Sequence, residues 1–424
     1  MGTDQCPRLG LSGNPVAPPR RYFDNAATSF PKPAAVAAAM HRYMVENGSP
    51  GRGVYAGARE AGREILRCRQ RILRLINGEP EHPENVVFAL NTTDALNLAI
   101  KGTLAAAGRG RRAVHVVTTV MEHNSVLRPA NATVTQGGGV EWTYVEVDPS
   151  TGVVDPAAIA RAFRPDTVLV AVNHASNVTG SIQPVGEVGY ICRERDIMFL
   201  VDAAQSLGHI PVDVRAMSID LLAFAGHKGL LGPQGTGGLY IRPGIEQRIA
   251  TTREGGTGSS SELDVHPSIM PERYEAGSHN TVGIIGLSEG VAWLAEKGID
   301  QVRTHELALM RPLLAAAAGE AFPGLRLLGS PSERDRVGVF SFVHGELEPV
   351  ELAIILEMEF GILCRAGLHC APLAHAAFRT APPRGKGAVR LSVGPFLTGA
   401  DVQFAVEALS AVCRSHRRAF AAAR

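Results

Sequence analysis

Neither sign of charge dominates this 424-residue chain: 42 Lys and Arg stand against 41 Asp and Glu, a net charge of +1. That balance argues against a nucleic-acid binder working through a basic field and against an acidic tail protein. No apolar run is long enough to span a bilayer, so no membrane segment is expected. Residues 1–19 lack the apolar stretch of a secretory signal, and Cys6 stands where a myristoylation motif needs Ser or Thr. A cytoplasmic protein is the expectation. The six cysteines lack the dense, paired spacing of a secreted disulfide scaffold, which fits a reducing compartment. Glycine (46) and proline (27) show no collagen-like period, and no internal repeat is present. There is no Gly-x-x-x-x-Gly-Lys-Ser/Thr. The segment Gly232-Pro-Gln-Gly-Thr-Gly-Gly238 has glycines that precede a strand rather than open a helix, which excludes a P-loop or Rossmann reading.

What remains is an ordinary globular balance, 45% hydrophobic and 20% charged, with ample material for a core. A prior of ~150 residues per domain gives two or three domains. Residues 1–20, with Pro7, Pro15, Pro18, Pro19, Gly10 and Gly13, read as a poorly ordered N-terminal arm. From about 60 to 245, helical stretches such as Ala61–Ile76 and Ala95–Leu104 alternate with short apolar runs. Those runs are Ala113–Val117, Val168–Val172, Met198–Val201, Leu221–Ala225 and Gly238–Ile241. Such alternation predicts βαβ units and a mostly parallel, buried sheet, with ligands outside the carboxyl ends of its strands. Residues 253–261 are either a surface linker or a loop lining a site. Helical patterns from about 282 to Lys297, over His305–Ala318, Pro349–Phe360 and Asp401–Cys413, with apolar runs Val337–Val343 and Ala388–Val393, predict a smaller α+β unit. The division is therefore placed at 21–285 and 286–424, with the first segment of the large domain a candidate to pack on the small one.

Seven stretches carry chemistry. Lys228 follows the run Asp220–Ala225 through Gly226-His227. A lysine there is costly to hold charged, and a neutral amine is what Schiff-base chemistry needs; the plainer reading is a strand-end lysine reaching water. Asp202 follows Met198–Val201, 26 residues before Lys228, enough for one strand–helix–strand passage. Both side chains then meet at one sheet edge, unless Asp202 is simply a helix N-cap. Pyridoxal phosphate needs such a pair: a lysine for its aldehyde and an acid for its ring nitrogen. Asn91-Thr92-Thr93-Asp94 opens a helix after Val86–Leu90, as a phosphate site or a capping box. His123 either stacks on a flat ring, works as an acid–base group, or is a polar loop residue. Asn177, in Asn173–Gly180, either bonds a phenolate oxygen or shapes a turn. In Arg365-Ala-Gly-Leu-His-Cys-Ala-Pro372, His369 and Arg365 give Cys370 a basic setting that favours a thiolate. Cys364, His369, Cys370 and His375 match no zinc spacing, so no metal is expected. Arg390, inside an apolar run, wants an anion, either a substrate carboxylate or a buried Asp or Glu. Cys6, Cys68, Cys192 and Cys413 read as ordinary thiols.

Together these motifs resemble the class V aminotransferase family of pyridoxal-phosphate enzymes, in its SufS-like cysteine desulfurase branch. The similarity runs from Tyr22-Phe-Asp-Asn-Ala-Ala-Thr28 to about Leu409. It is strongest in Val201–Gln205, Gly226–Lys228 and Arg365–Leu373. The resemblance implies an α/β fold of type I: a mainly parallel seven-stranded-type sheet with helices on both faces, a smaller α+β domain, and a homodimer with sites at its interface. It makes Lys228 the Schiff-base lysine and sets Asp202 on the ring nitrogen. Gln205 and Asn177 would contact the phenolate oxygen and His123 would stack on the ring. Thr92, Thr93 and His227 would hold the phosphate, and Ser278, in Glu275–Asn280, would reach the partner's phosphate. Arg390 would take the substrate carboxylate, beside Arg365, Asn177 and Tyr55. Cys370 would carry a persulfide made from L-cysteine, with L-alanine released and sulfur passed to an acceptor protein, as in iron–sulfur cluster assembly. Departures are Ala225 in place of a hydroxyl, His279 for Pro, Tyr55 for His, and a longer Ala376–Gly387 segment. Rival outcomes on the same cofactor are a C–S lyase, a selenocysteine lyase or a specialised member acting on another amino acid. A phosphate- or metal-binding structural protein would need the Lys, Asp and Cys placements to be accidental.

Overall fold

The computed structural model describes residues 18–49, 53–108, 113–135, 139–259 and 261–422, with side chains to residue 415. The expected arm, apart from residues 18–20, and Cys6 lie outside the described residues. In chain order the first elements are β1 (Arg21–Tyr22), α1 (Ala34–Glu46), α2 (Ala56–Leu75), β2 (Val86–Ala89), α3 (Thr92–Ala107), β3 (Val114–Thr119), α4 (Asn124–Thr135) and β4 (Val140–Val145). Then come α5 (Pro156–Arg161), β5 (Thr167–Asn173), α6 (Val185–Arg193), β6 (Met198–Asp202), β7 (Leu221–Ala225), β8 (Gly237–Ile241), α7 (Thr281–Lys297) and α8 (Ile299–Ala318). The remainder is β9 (Leu325–Leu327), β10 (Val339–His344), α9 (Pro349–Phe360), β11 (Ile362–Leu363), β12 (Arg365–Gly367), α10 (Pro372–Ala377), β13 (Ala388–Ser392) and α11 (Gly399–Ala422).

Seven strands form the central sheet in the order β2-β8-β7-β6-β5-β3-β4. All are parallel except β8, which runs against both of its neighbours. The inner strands β5 to β8 read as apolar runs because both faces are covered. Along β6, Phe199 and Val201 join one core while Met198 and Leu200 join the other; along β7, Leu222 and Phe224 oppose Leu221 and Ala223. This period-two alternation hands alternate side chains to each face. Ile72 and Leu73 of α2, Val188 of α6 and Leu287 of α7 close the first face. Leu96, Ala99 and Ile100 of α3 close the second.

The smaller unit is an antiparallel sheet, β12-β13-β10-β9, under helices α8, α9 and α11. Its core gathers Leu313, Phe340, Leu356, Leu391 and Leu409, and also Phe23 from the start of the chain. β1 pairs in parallel with β11, so the first segment packs on the smaller unit. Leu287, Val291 and Leu294 of α7 belong to the large core, whereas Leu309 and Met310 of α8 belong to the small one. Val302, in the first turn of α8, still belongs to the large core, so core membership changes within α8, between Val302 and Leu309, and position 285 falls inside α7.

Candidate active site

The carboxyl ends of β5, β6 and β7 open on one cavity of about 290 Å³. Its walls include Thr92, Thr93, His123, Asn177, Asp202, Gln205, His227, Lys228, Arg365 and Arg390. The neighbouring strands β6 and β7 lead to the acid and the amine of this cavity. Asp202 is the last residue of β6, and Lys228 stands three residues beyond β7. The turn between them and the next strand is tight. A Cβ on Gly226 would lie 2.1 Å from Thr236 Oγ1, and one on Gly229 would lie 2.3 Å from the Leu207 carbonyl. Glycine is required there by close approach. The same turn is held from the chain's start: Thr28 Oγ1 and Lys32 Nζ donate to the His227 carbonyl at 3.0 and 2.9 Å, and Ser29 Oγ donates to the Lys228 carbonyl at 2.8 Å.

Burial dominates the electrostatics. It lowers Lys228 to about 8 against the opposing pull of Asp202, with Arg390 and Arg365 adding to the drop. Burial likewise raises the Asp202 carboxyl, while Ala204 N–H and Lys228 oppose it. The Asp202 Oδ1 accepts from Ala204 N at 2.9 Å. His123 is lowered to about 3, first by burial and then by Lys228, Arg365 and Arg390. A neutral, flat imidazole results, steadied by Ser125 Oγ at 2.8 Å from its Nδ1.

At one end of the cavity, Asn91 caps α3 by accepting from Asp94 N at 3.0 Å, which leaves the first helical N–H groups without intrahelical partners. Thr93 Oγ1 lies 2.7 Å from Ser125 Oγ. At the other end, Arg390 donates through Nη2 to Asp24 at 2.9 Å and through Nη1 to the Asn177 carbonyl at 3.1 Å. Both candidate amides are partly engaged. Asn177 Nδ2 donates to the His369 carbonyl at 2.6 Å and Gln205 Nε2 to the Ala26 carbonyl at 2.9 Å, and each NH2 keeps a second hydrogen. Several cavity-lining groups are buried with no partner: Thr92 Oγ1, Asn173 Oδ1, His227 Nδ1 and Arg390 Nε. Unpaired buried polar atoms are costly. Their distribution, with a helix N-terminus at one end, an acid, an amine and a flat imidazole in the middle and a guanidinium at the other, fits a phosphorylated aromatic aldehyde carrying an amino acid.

Cys370 does not line this cavity. It borders an adjoining groove of about 360 Å³ that shares Thr93, His123 and Ser125 with it. The thiol is exposed, 4.0 Å from Arg365 Nη2. His369 and Cys370 both have positive φ, 49° and 60°, an uncommon conformation for side-chain-bearing residues. The Asn177 bond to the His369 carbonyl and Asn124 N to the Cys370 carbonyl (2.7 Å) hold it. Behind them His369 Nδ1 meets His375 Nε2 at 3.3 Å, and His375 Nδ1 meets Thr380 Oγ1 at 2.7 Å. Cys68 and Cys192 lie buried in α2 and α6; burial pushes Cys68 up to about 12 and raises Cys192 as well.

Ser278 also lies outside the cavity, in a pocket with Asp94, Gly235, Arg253 and His279. Arg253, from the polar 253–261 stretch, pairs with Asp94 at 3.2 Å. His279, in the place where Pro is usual, holds Glu275 through its Nε2 at 2.9 Å. Tyr55 is exposed, at the N-terminal end of α2. Sequence reasoning gave no role to Ser125, Asn173 or Asp24. Asn173 carried a readable signal, being the last residue of a buried strand; Ser125 and Asp24 carried none of that kind.

The aminotransferase class V family model matches residues 21–404. A probable cysteine desulfurase of Methanothermobacter thermautotrophicus is 34% identical over 399 residues, 92% of this chain and 94% of that protein. The cysteine desulfurase IscS of Vibrio campbellii is 32% identical over 392 residues, 91% of each. Among solved structures, the apo cysteine desulfurase of Thermococcus onnurineus NA1 superposes with a TM-score of 0.83 at 30% identity, covering 93% of this chain and 94% of that one. The S-sulfonic acid form of the cysteine desulfurase CsdA from Escherichia coli gives 0.78 at 27%, covering 92% and 94%.

Proposed function

This chain belongs to the class V aminotransferase family, and from that premise we propose that it is a pyridoxal-phosphate-dependent cysteine desulfurase. The observation that carries the reading is the shared cavity of Lys228, Asp202 and Arg390, with Cys370 on the groove that adjoins it. The net reaction is L-cysteine plus the Cys370 thiol giving L-alanine plus a Cys370 persulfide. Atoms balance with no outside oxidant, since the Cβ–S bond of the substrate breaks as the S–S bond forms.

When bound, pyridoxal phosphate supplies an electron-accepting ring that loosens bonds at the α-carbon of an amino acid. The α3 N-terminus with Thr92, Thr93 and His227 would hold its phosphate, Asp202 its ring nitrogen, and Lys228 its aldehyde. Arg390 orients the substrate carboxylate, which fixes the α-carbon against Lys228. Lys228, uncharged over much of its population near pH 8, accepts a proton at Nζ. His123, neutral and flat, would cover the ring. Cys370 takes the sulfur on the groove side of His123, where an acceptor protein reaches it without entering the cavity. Ser278, set apart from its own chain's cavity, supports a homodimer in which it serves the partner's phosphate. No helix among the described residues is long and apolar enough to cross a membrane, and a cytoplasmic setting is part of the same proposal.

Incubation of the yellow holoenzyme with L-cysteine should give alanine and, under reductant, sulfide. Pyruvate and ammonia in place of alanine, with sulfide released as well, would mark a C–S lyase. Cys370→Ala should keep the colour and lose sulfur release; Lys228→Ala should lose both. Full desulfurase activity in Cys370→Ala would end this reading.

A further inference from the structure

Glu122 has no part in the reaction outlined above. It follows β3, immediately before His123, and is fully buried. Its Oε1 accepts from Thr119 Oγ1 at 2.7 Å, and its Oε2 has no partner. A second oxygen, on a residue whose backbone N–H bonds Glu122, is in the same condition. Asn173, whose Nδ2 donates to the Met121 carbonyl at 2.6 Å, leaves its Oδ1 buried without a donor. Asn173 stands opposite Asp202 in the β5–β6 register, and Asp202 is the charged group that bears on Glu122, by repulsion. The polar groups that bear on Glu122 are Thr119 on β3, through its hydroxyl and backbone, Asn173 on β5, through its backbone N–H, and Asp202 on β6.

Two buried carboxyls that repel one another cannot both ionise cheaply. Asp202 has Lys228 to favour its charge. Glu122 has only hydrogen-bond donors, and burial, with Asp202 adding, lifts it to about 8. A proton on Glu122 turns an acceptor-only oxygen into a donor, and an acceptor lacking a donor waits in the same corner. We propose that Glu122 is a neutral acid behind the cofactor site, donating from Oε2 to the Asn173 carboxamide and leaving Asp202 as the one negative charge facing the ring nitrogen. It is a positioning residue: it acts through Asn173 and Asp202 and touches neither substrate nor cofactor. Its link to catalysis rests on the desulfurase reading; its protonation does not.

Infrared spectroscopy of the cofactor-free protein at pH 7 decides the first part. Wild type should show a carboxylic-acid C=O band that Glu122→Gln removes. Absence of the band, or its survival in Glu122→Gln, overturns the proposal. In the holoenzyme, Glu122→Leu, which fills the space but donates nothing, should lower kcat/KM for L-cysteine by about tenfold or more, the size of one stranded buried polar group. It should also shift the pH titration of cofactor absorbance. Glu122→Gln, an uncharged donor of the same shape, should keep the wild-type titration and recover most of that loss. Equal losses in Gln and Leu variants would show that the carboxyl itself is needed and overturn the proposal. Should Glu122→Leu fail to fold, the wild-type and Gln spectra still decide. A protein that makes no alanine from cysteine yet shows the band defeats the desulfurase reading alone.

Discussion

Arg69→Ala is the sharpest test of how this site is held. Arg69 projects from α2 and grips Glu275 with both terminal nitrogens, at 2.8 and 2.7 Å. It also donates to the Val86 carbonyl, and its guanidinium lies 4.5 Å over the Phe88 ring. The two side chains are 6% and 3% exposed. Burial by itself raises the Glu275 carboxyl, but Arg69 and then His279 overcome it and hold the group down to about 2 from an ordinary 4.5. That difference corresponds to about 3 kcal/mol of folding stability. Stranding one member of a buried pair costs about 3–5 kcal/mol by a separate route. Phe88 N–H and His279, at 2.6 and 2.9 Å, still serve Glu275, so the lower end of about 3 kcal/mol is expected at pH 7. A carboxyl depressed in the folded state stabilises fully above its unfolded pKa and loses that stabilisation as pH falls toward its folded one. The gap between wild type and Arg69→Ala, read by urea unfolding, should thus narrow between pH 4.5 and pH 2. A gap under about 1 kcal/mol at pH 7, or one that persists unchanged in acid, refutes the reasoning.

Arg390→Lys should retain the cofactor's colour while KM for L-cysteine rises about 10- to 100-fold, because one fork of a charged pair is worth about 1.5–3 kcal/mol; an unchanged KM would place the carboxylate elsewhere. Reloading of cofactor-free protein with pyridoxal phosphate should quicken as pH rises through about 8, since only uncharged Lys228 adds to an aldehyde. A rate flat from pH 6 to 9 would mean that the lysine is already neutral throughout. Iodoacetamide should alkylate Cys370 well before Cys68 or Cys192, which are buried and raised; mass mapping of early products reads this directly.

The parts of the architecture that announced themselves were the doubly covered strands β5, β6 and β7, whose residues are apolar on both faces and so form unbroken runs. β4 did not. Val140-Glu-Trp-Thr-Tyr-Val145 is an edge strand, partly exposed along most of its length, and its alternating polar residues hide it from a search for apolar runs. The reversed direction of β8 was equally unreadable, because strand polarity follows from where the chain comes back, not from composition. Lys228, Asp202 and Arg390 were legible because each is a charge at or inside a buried strand, where only a partner or a ligand makes sense of it. Asp24 was not, since its pairing with Arg390 spans 366 residues. The side of His123 on which Cys370 emerges depends on two consecutive positive-φ residues, and the motif Arg-Ala-Gly-Leu-His-Cys gave no sign of them. Tyr55, set beside the substrate by analogy, stands exposed at a helix start, where its neighbours in the chain say little about its neighbours in space.

Residues 21–32 act as a tether. They begin on β11 in the small unit, lend Phe23 to its core, and end by gripping the carbonyls of His227 and Lys228. A change of tilt between the two units would therefore pull on the backbone of Lys228. A chimera that takes its small unit from a relative must therefore bring the matching tether with it, or load its cofactor poorly even when both halves fold.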